Sequence, residues 1–307
     1  MIRDAEKIKT LRILILGGNG MLGHKLWQVC QQEFDTYATV RSSGDAVFRS
    51  LGIDLNRLVE QVSAENFDSV IAAVADTHPQ VIVNCVGIVK QHHLGHDPIT
   101  SLTVNALFPH RLSRLARASG ARLIHISTDC VFSGRRGHYA EVDLPDPEDI
   151  YGRTKLLGEV SDAGCLTIRT SMIGRELNTA HGLVEWFLGP HAGPVFGYTR
   201  AFFSGLTTRT LAKVIARVIG DHPDLEGVWH VAGDPIDKFA LLAMIRDRYK
   251  LEMDLVPNDQ VVIDRSLDGS RFTQATGWSP PAWFEMIEEL AGDFTPYGDI
   301  REHIAHR

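Results

Sequence analysis

The aliphatic run Leu11 to Leu16 (LRILIL) passes without a break into Gly17-Gly18-Asn19-Gly20-Met21-Leu22-Gly23 and then into a helix-forming stretch, His24 to Gln32. A continuous apolar run of this kind suits a parallel strand covered on both faces. Glycines at 17, 20 and 23 suit a tight turn, close backbone approach to a pyrophosphate and tight helix packing, with the helix N-terminus facing the phosphates. The order strand, glycines, helix predicts a doubly wound, mainly parallel α/β sheet whose first turn binds a dinucleotide. Gly17, Asn19, Gly20, Met21, Leu22 and Gly23 form that expected turn.

The next segments carry the same alternation. A strand over Thr36 to Val40 ends in Arg41-Ser42-Ser43. An acidic residue near this point would hold a ribose 2′-hydroxyl, whereas a basic one suits a 2′-phosphate. Arg41 stands there without a carboxylate, so NADPH is the expected cofactor. Residues 45 to 59 give no clear pattern. A weak strand over Glu60 to Ser63 would set Val62 and Ser63 at the adenine. A helix over Ser69 to Asp76 precedes a strand over Val81 to Val86, which places Cys85, Val86 and Gly87 above the crevice. Lys90 reaches either a phosphate or solvent. His92, His93 and His96 lack a supporting carboxylate or thiolate set, so they read as a solvated loop, and no metal is expected. A long amphipathic helix over Thr103 to Ser119 begins with Asn105, whose amide would order the active-site helix or a water chain.

The chemistry concentrates further on. A strand over Leu123 to Ile126 ends in Ser127, Thr128 and Asp129, and after a polar loop Tyr151 and Lys155 stand one helical turn apart. Such a pair shares one helix face. A free phenol holds its proton to about pH 10, and a nearby ammonium lowers that value. Lys155 would supply the charge, and Thr128 would hold a carbonyl oxygen beside the phenol. Tyr151 would then protonate that oxygen as a hydride reaches its carbon.

The remainder is less regular. The pattern predicts a strand over Cys165 to Ser171, a short helix over His181 to Leu188 and a Gly/Pro-rich span to Gly197. Arg200, beside Tyr198 and Phe202-Phe203, either meets a diphosphate or belongs to a packing loop. A helix over Thr207 to Ile219 has Thr207 or Thr208 as its cap and Gly220 as its stop. A strand over Val228 to Val231, a helix over Asp237 to Tyr249 and a helix over Pro281 to Leu290 follow, and the tail after Asp293 reads as polar and loose. Arg265 reaches either substrate phosphates or a salt bridge with Asp268. The expected division is a Rossmann domain over residues 1–170, with 206–232 returning to it, and a smaller substrate lobe over 171–307.

Composition sets bounds on partners. The 307 residues carry a net charge of −7, which gives no electrostatic case for nucleic acid or an anionic membrane. No apolar run approaches the roughly 18 residues of a membrane span. Cys30, Cys85, Cys130 and Cys165 are scattered, as thiols of a reducing cytoplasm would be.

Together GGNGMLG, NCVG, STDCVFSG and YGRTK resemble the extended short-chain dehydrogenase/reductases, and within them the dTDP-4-dehydrorhamnose reductase branch. The resemblance implies a catalytic trio of Thr128, Tyr151 and Lys155, with Tyr151 and Lys155 also contacting the cofactor. It implies reduction at C4 of a nucleotide-linked 4-keto-6-deoxyhexose by NADPH, for surface polysaccharide or lipopolysaccharide sugars. Lys90, Asp129, Cys130, Arg200 and Arg265 are the expected substrate contacts. The branch commonly has an aromatic residue where Cys130 stands, which points to a related but different sugar, N-acetylated or UDP-linked. Cys130 also replaces the glutamate of the superfamily's dehydratases, against elimination. A 4-epimerase and a non-catalytic NADP-binding subunit that steadies methionine adenosyltransferase are the rival readings. The resemblance leaves two pairings open for a homodimer, through the helices at Thr103 and Tyr151 as in much of the superfamily, or differently as in the rhamnose branch.

Overall fold

A computed structural model describes residues 11–42, 48, 51–88 and 97–305; Ser43, Val89, Lys90, His92, His93 and His96 lie outside them. Seven parallel strands form the central sheet: β1 (Arg12–Leu16), β2 (Asp35–Thr39), β3 (Leu58–Val59), β4 (Val81–Asn84), β5 (Arg122–Ile126), β6 (Cys165–Arg169) and β7 (Gly227–His230). Their order across the sheet is β3-β2-β1-β4-β5-β6-β7. Ile13, Leu14 and Ile15 are fully buried, as a strand between two helical layers requires. Pairing runs Leu14 to Tyr37 on one side and Leu14 to Ile82 on the other. The order therefore reverses between β1 and β4, and a crevice opens beyond the carboxyl ends of those two strands.

The helices that matter to the site are α1 (Gly23–Cys30), α2 (Phe67–Thr77), α3 (Phe108–Ser119), α4 (Ile150–Leu157), α5 (Thr208–Asp221) and α6 (Lys238–Tyr249). α1 and α5 pack on one face of the sheet, with Leu26, Trp27, Leu211 and Ile215 in a single core. Phe67, Val70, Phe108 and Leu112 fill the other face. The C-terminal part adds small sheets, in which 195–198 pairs with 255–258 and 201–203 is flanked by 236–237 and 263–264. Among the described residues no helix is long and apolar enough to cross a membrane.

Several local expectations are corrected. The strand near residue 60 lies two residues earlier, at Leu58–Val59, because Gln61 takes a left-handed φ of 59° and turns the chain out of the ladder. β4 stops at Asn84, whose Oδ1 accepts Val86 N at 3.1 Å and bends the backbone away from the sheet. Gly220 lies inside α5, which ends at Asp221, so Thr207 is the cap but the glycine is not the stop. The helix before β5 starts at Pro98 behind an Asp97 cap and widens into a π-helical segment over Leu102–Leu107. The tail is not loose: it forms a helix, Tyr297–Ala305, whose Tyr297 and Ile300 are buried.

Candidate active site

The crevice at the β1/β4 switch is a cavity of about 180 Å³. Gly17, Asn19, Gly20, Arg41, Val62, Cys85, Val86 and Gly87 are among the residues that line it. The backbone explains the glycines. Gly17 has φ of 84°, open to glycine at no cost, and a Cβ on Gly23 would stand 2.0 Å from Gly17 O. No side chain fits at Gly23, so the first turn of α1 closes on the loop and its N-terminus faces the cavity. These features fit the pyrophosphate of a dinucleotide.

Other expected contacts fall elsewhere. Leu22 is buried in the core under the sheet rather than facing the cavity, because the turn directs its side chain inward. Ser63 Oγ is taken by Glu65 Oε2 at 2.6 Å. Glu65 lines the cavity with Arg41, a carboxylate that the sequence reading overlooked because it follows β3 rather than β2. Its pKa is lowered, first by the Ser63 hydroxyl and less by Arg41.

The trio assembles at the end of β5. Thr128 caps a short turn, accepting Cys130 N at 3.1 Å and donating to Asp129 Oδ1 at 3.1 Å. The same hydroxyl lies close enough to the Tyr151 phenol to pull its pKa down. Asp149 caps α4, accepting Gly152 N at 2.7 Å, and so fixes the turn that presents Tyr151. Gly152 is required because a Cβ there would lie 2.2 Å from Cys130 O. Lys155 is buried, and its Nζ donates to Ile126 O at 2.6 Å. A Cβ on Gly87 would stand 3.9 Å from that ammonium, so Lys155 borders the cofactor crevice.

The electrostatics differ from the sequence expectation in one respect. Tyr151 is pushed above its ordinary value, chiefly by burial and then by Cys130, with the Thr128 hydroxyl opposing. The ammonium does not produce an acidic phenol here, because Lys155 is turned to the Ile126 carbonyl. Burial brings Lys155 itself down to about 8, with Glu159 the main opposing influence.

Asn105 sits in the π-helical segment and does not line the cavity. Its Oδ1 accepts Ile88 N at 2.9 Å and its Nδ2 donates to Ile88 O at 3.0 Å, pinning the strand end beside Gly87. The wider helical turn presses against α4, where a Cβ on Gly158 would lie 1.9 Å from Asn105 O. Such π-bulges are frequent at functional sites.

The expected substrate contacts divide. Asp129 is buried and Cys130 half-buried beside the phenol. Arg265 donates from Nε to Phe132 O at 2.9 Å, which ties the late segment to the turn after β5, and His138 rather than Arg265 stands 3.8 Å from Asp268. Arg200 is exposed on the turn between residues 198 and 201. Sequence reasoning missed Lys238, the first residue of α6. Its Nζ lies 4.0 Å from the Phe203 ring centroid. Burial brings it down to about 8 against the opposing pull of Asp129 and then Cys130, so the C-terminal part sends a cation to the trio. Nothing in its sequence neighbourhood signals that placement.

All four cysteines are free thiols. Burial raises Cys30, Cys85 and Cys165, so none of these three is an activated nucleophile.

A parallel sheet in this order, with a glycine turn at the switch and a Thr-Tyr-Lys constellation beside it, defines a Rossmann-type protein of the extended short-chain dehydrogenase/reductase fold. The chain belongs to the RmlD substrate binding domain family, which it matches over residues 11–293. Its fold resembles dTDP-4-dehydrorhamnose reductase from Bacillus anthracis in complex with NADP, with TM-score 0.75, 22% identity and 92% and 97% of the two chains covered. A hypothetical dTDP-4-dehydrorhamnose reductase from Sulfolobus tokodaii is similar at TM-score 0.73 and 25% identity, covering 89% of this chain and 98% of that one. Among curated relatives, methionine adenosyltransferase 2 subunit beta of Rattus norvegicus is 30% identical over 162 residues, 52% of this chain and 45% of its own length. The dTDP-4-dehydrorhamnose reductase of Streptomyces griseus is 31% identical over 149 residues, 48% of this chain and 43% of its own. The chain thus aligns with less than half the length of these curated relatives.

Proposed function

We propose that this protein is an NADPH-dependent reductase acting on the C4 keto group of a nucleotide-linked 4-keto-6-deoxyhexose, dTDP- or UDP-linked, in the making of a surface polysaccharide sugar. The observation that carries the reading is the meeting of Thr128, Tyr151 and Lys155 at the end of β5, beside Gly87 and the crevice. Gly17, Asn19 and Gly20 would hold the pyrophosphate, and Arg41 the 2′-phosphate. The reduced dinucleotide supplies a hydride to the carbonyl carbon.

The protein's own groups manage the proton. Thr128 orients the carbonyl oxygen beside the phenol. Tyr151, kept protonated by its burial, is poised to donate to that oxygen as it becomes an alkoxide. The Lys155 ammonium, held on Ile126 O beside Gly87, would hold the nicotinamide ribose of the cofactor at the crevice. Cys130, flanked by Lys238, faces the sugar where the branch commonly has an aromatic ring, which favours a sugar other than that of the rhamnose enzymes.

The test is consumption of NADPH by purified protein offered dTDP-, UDP-, GDP- and CDP-linked ketosugars. Oxidation of NADPH with one of them supports the reading. Interconversion of C4 epimers with no net redox change would identify a 4-epimerase instead. The similarity to methionine adenosyltransferase 2 subunit beta favours one further reading, a non-catalytic NADP-binding subunit. A stoichiometric adenosyltransferase partner, with no ketosugar turnover, would establish that reading.

A further inference from the structure

The C-terminal segment reaches the glycine turn through a chain of buried polar groups. His24, on the first turn of α1, has Nδ1 2.8 Å from Gly20 O and Nε2 3.0 Å from the Tyr297 hydroxyl. That hydroxyl stands 2.7 Å from Asp293 Oδ2, and Lys25 Nζ lies 2.6 Å from the same oxygen. Thr295 accepts a second Lys25 hydrogen at 2.9 Å. His24 is fully buried, while Lys25 and Asp293 side chains are 3% and 7% exposed. Gly20 lines the dinucleotide crevice, so the chain of contacts ends on the cofactor turn itself.

We propose that residues 293–297 form a clasp on the dinucleotide site, in which Tyr297 and Asp293 act through His24 as positioning residues for the Gly17–Gly23 turn. The inference rests on the reading of that turn as a cofactor site. A proton count gives the clasp a signature. The contacts of His24 to Gly20 O, of His24 to Tyr297 and of Tyr297 to Asp293 need one hydrogen each. Gly20 O and an ionised Asp293 can only accept. A neutral imidazole and a phenol bring two hydrogens, so one contact is left unmade, and an imidazolium completes all three.

Burial, and then the neighbouring Lys25, opposes that extra charge and brings His24 down to about 4, while Asp293 is held at about 2. The other charges around the cluster are Arg175, stacked 4.5 Å above the Tyr297 ring and paired with Glu185, and Arg209, which bears on Lys25. A pyrophosphate at the turn would add negative charge one helical turn from His24 and favour its protonation. The bound form then holds the proton at a higher pH than the free form. Dinucleotide binding takes up a proton and tightens as pH falls.

Calorimetric titration of the full chain with NADPH and NADH, at about pH 6 and about pH 8 in buffers of different ionisation enthalpy, tests this. The wild type should take up protons at the lower pH. Tyr297→Phe keeps the ring, and should weaken binding about five-fold, as the loss of one buried hydrogen bond does, with the proton uptake reduced. His24→Gln should behave alike and stands in if Tyr297→Phe does not fold. Equal affinity and equal proton uptake in folded wild type and variant would overturn the clasp, leaving these residues a purely structural role. Wild-type protein that binds neither dinucleotide would instead remove the reading of the crevice.

Discussion

Lys155 Nζ donates to the carbonyl oxygen of Ile126 at 2.6 Å, fastening α4 to the end of β5 at the point where Thr128 emerges. One helical turn on, Glu159 accepts from Ser127 Oγ at 2.7 Å and takes two hydrogens from Arg169, each at 2.8 Å. The last strand residue, Ile126, and Ser127 just after it thus hold Lys155 on α4 and Glu159 just past the end of that helix. The trio is set by this double attachment rather than by direct pairing of Lys155 with Tyr151.

Tyr151→Phe removes the proton donor and little else. Turnover of the ketosugar should fall by about 100- to 10,000-fold, the usual share of a general acid. Dinucleotide affinity should be unchanged in a binding titration. A variant that keeps wild-type turnover would end the mechanism.

The pH profile follows from the two shifts. Tyr151 is raised, so its proton stays on throughout the neutral range. Lys155 is lowered to about 8, so its ammonium is present below that pH and lost above it. Reductase activity should hold toward neutral pH and decline as pH rises through about 8. A profile flat to pH 10, the ordinary range of lysine and tyrosine, would show that Lys155 charge is not used.

Arg41 and Glu65 line the same crevice, and on the proposed reading their opposite charges would divide the two cofactors. Arg41→Ala should raise KM for NADPH about tenfold, as loss of a charged hydrogen bond does, and leave NADH little altered. Glu65→Gln should improve NADPH use. Steady-state kinetics with both dinucleotides measure the preference, and an unchanged ratio in both variants would remove Arg41 from the site.

Lys238 should matter to the sugar and not to the dinucleotide. Lys238→Met keeps much of the packing on Phe203 and removes the charge beside Asp129. KM for the nucleotide sugar should rise about tenfold with the dinucleotide constant unmoved. Equal shifts in both constants would point to a general disturbance of the fold.

The glycine turn and the order of strands and helices were legible in the chain, because each depends on short-range rules. Gly17, Gly20 and Gly23 declare a backbone that side chains cannot follow, and LRILIL declares a strand buried on both faces. Tyr151 and Lys155 share a face by helical period alone. Long-range packing decided the rest. Only the fold turns Lys155 to Ile126 O, buries Tyr151 enough to raise its pKa, brings Glu65 to Arg41 and Lys238 to Asp129, and folds the tail onto His24. Those pairings join segments far apart in sequence, and no local pattern encodes a distance that the packed sheet and helices alone set.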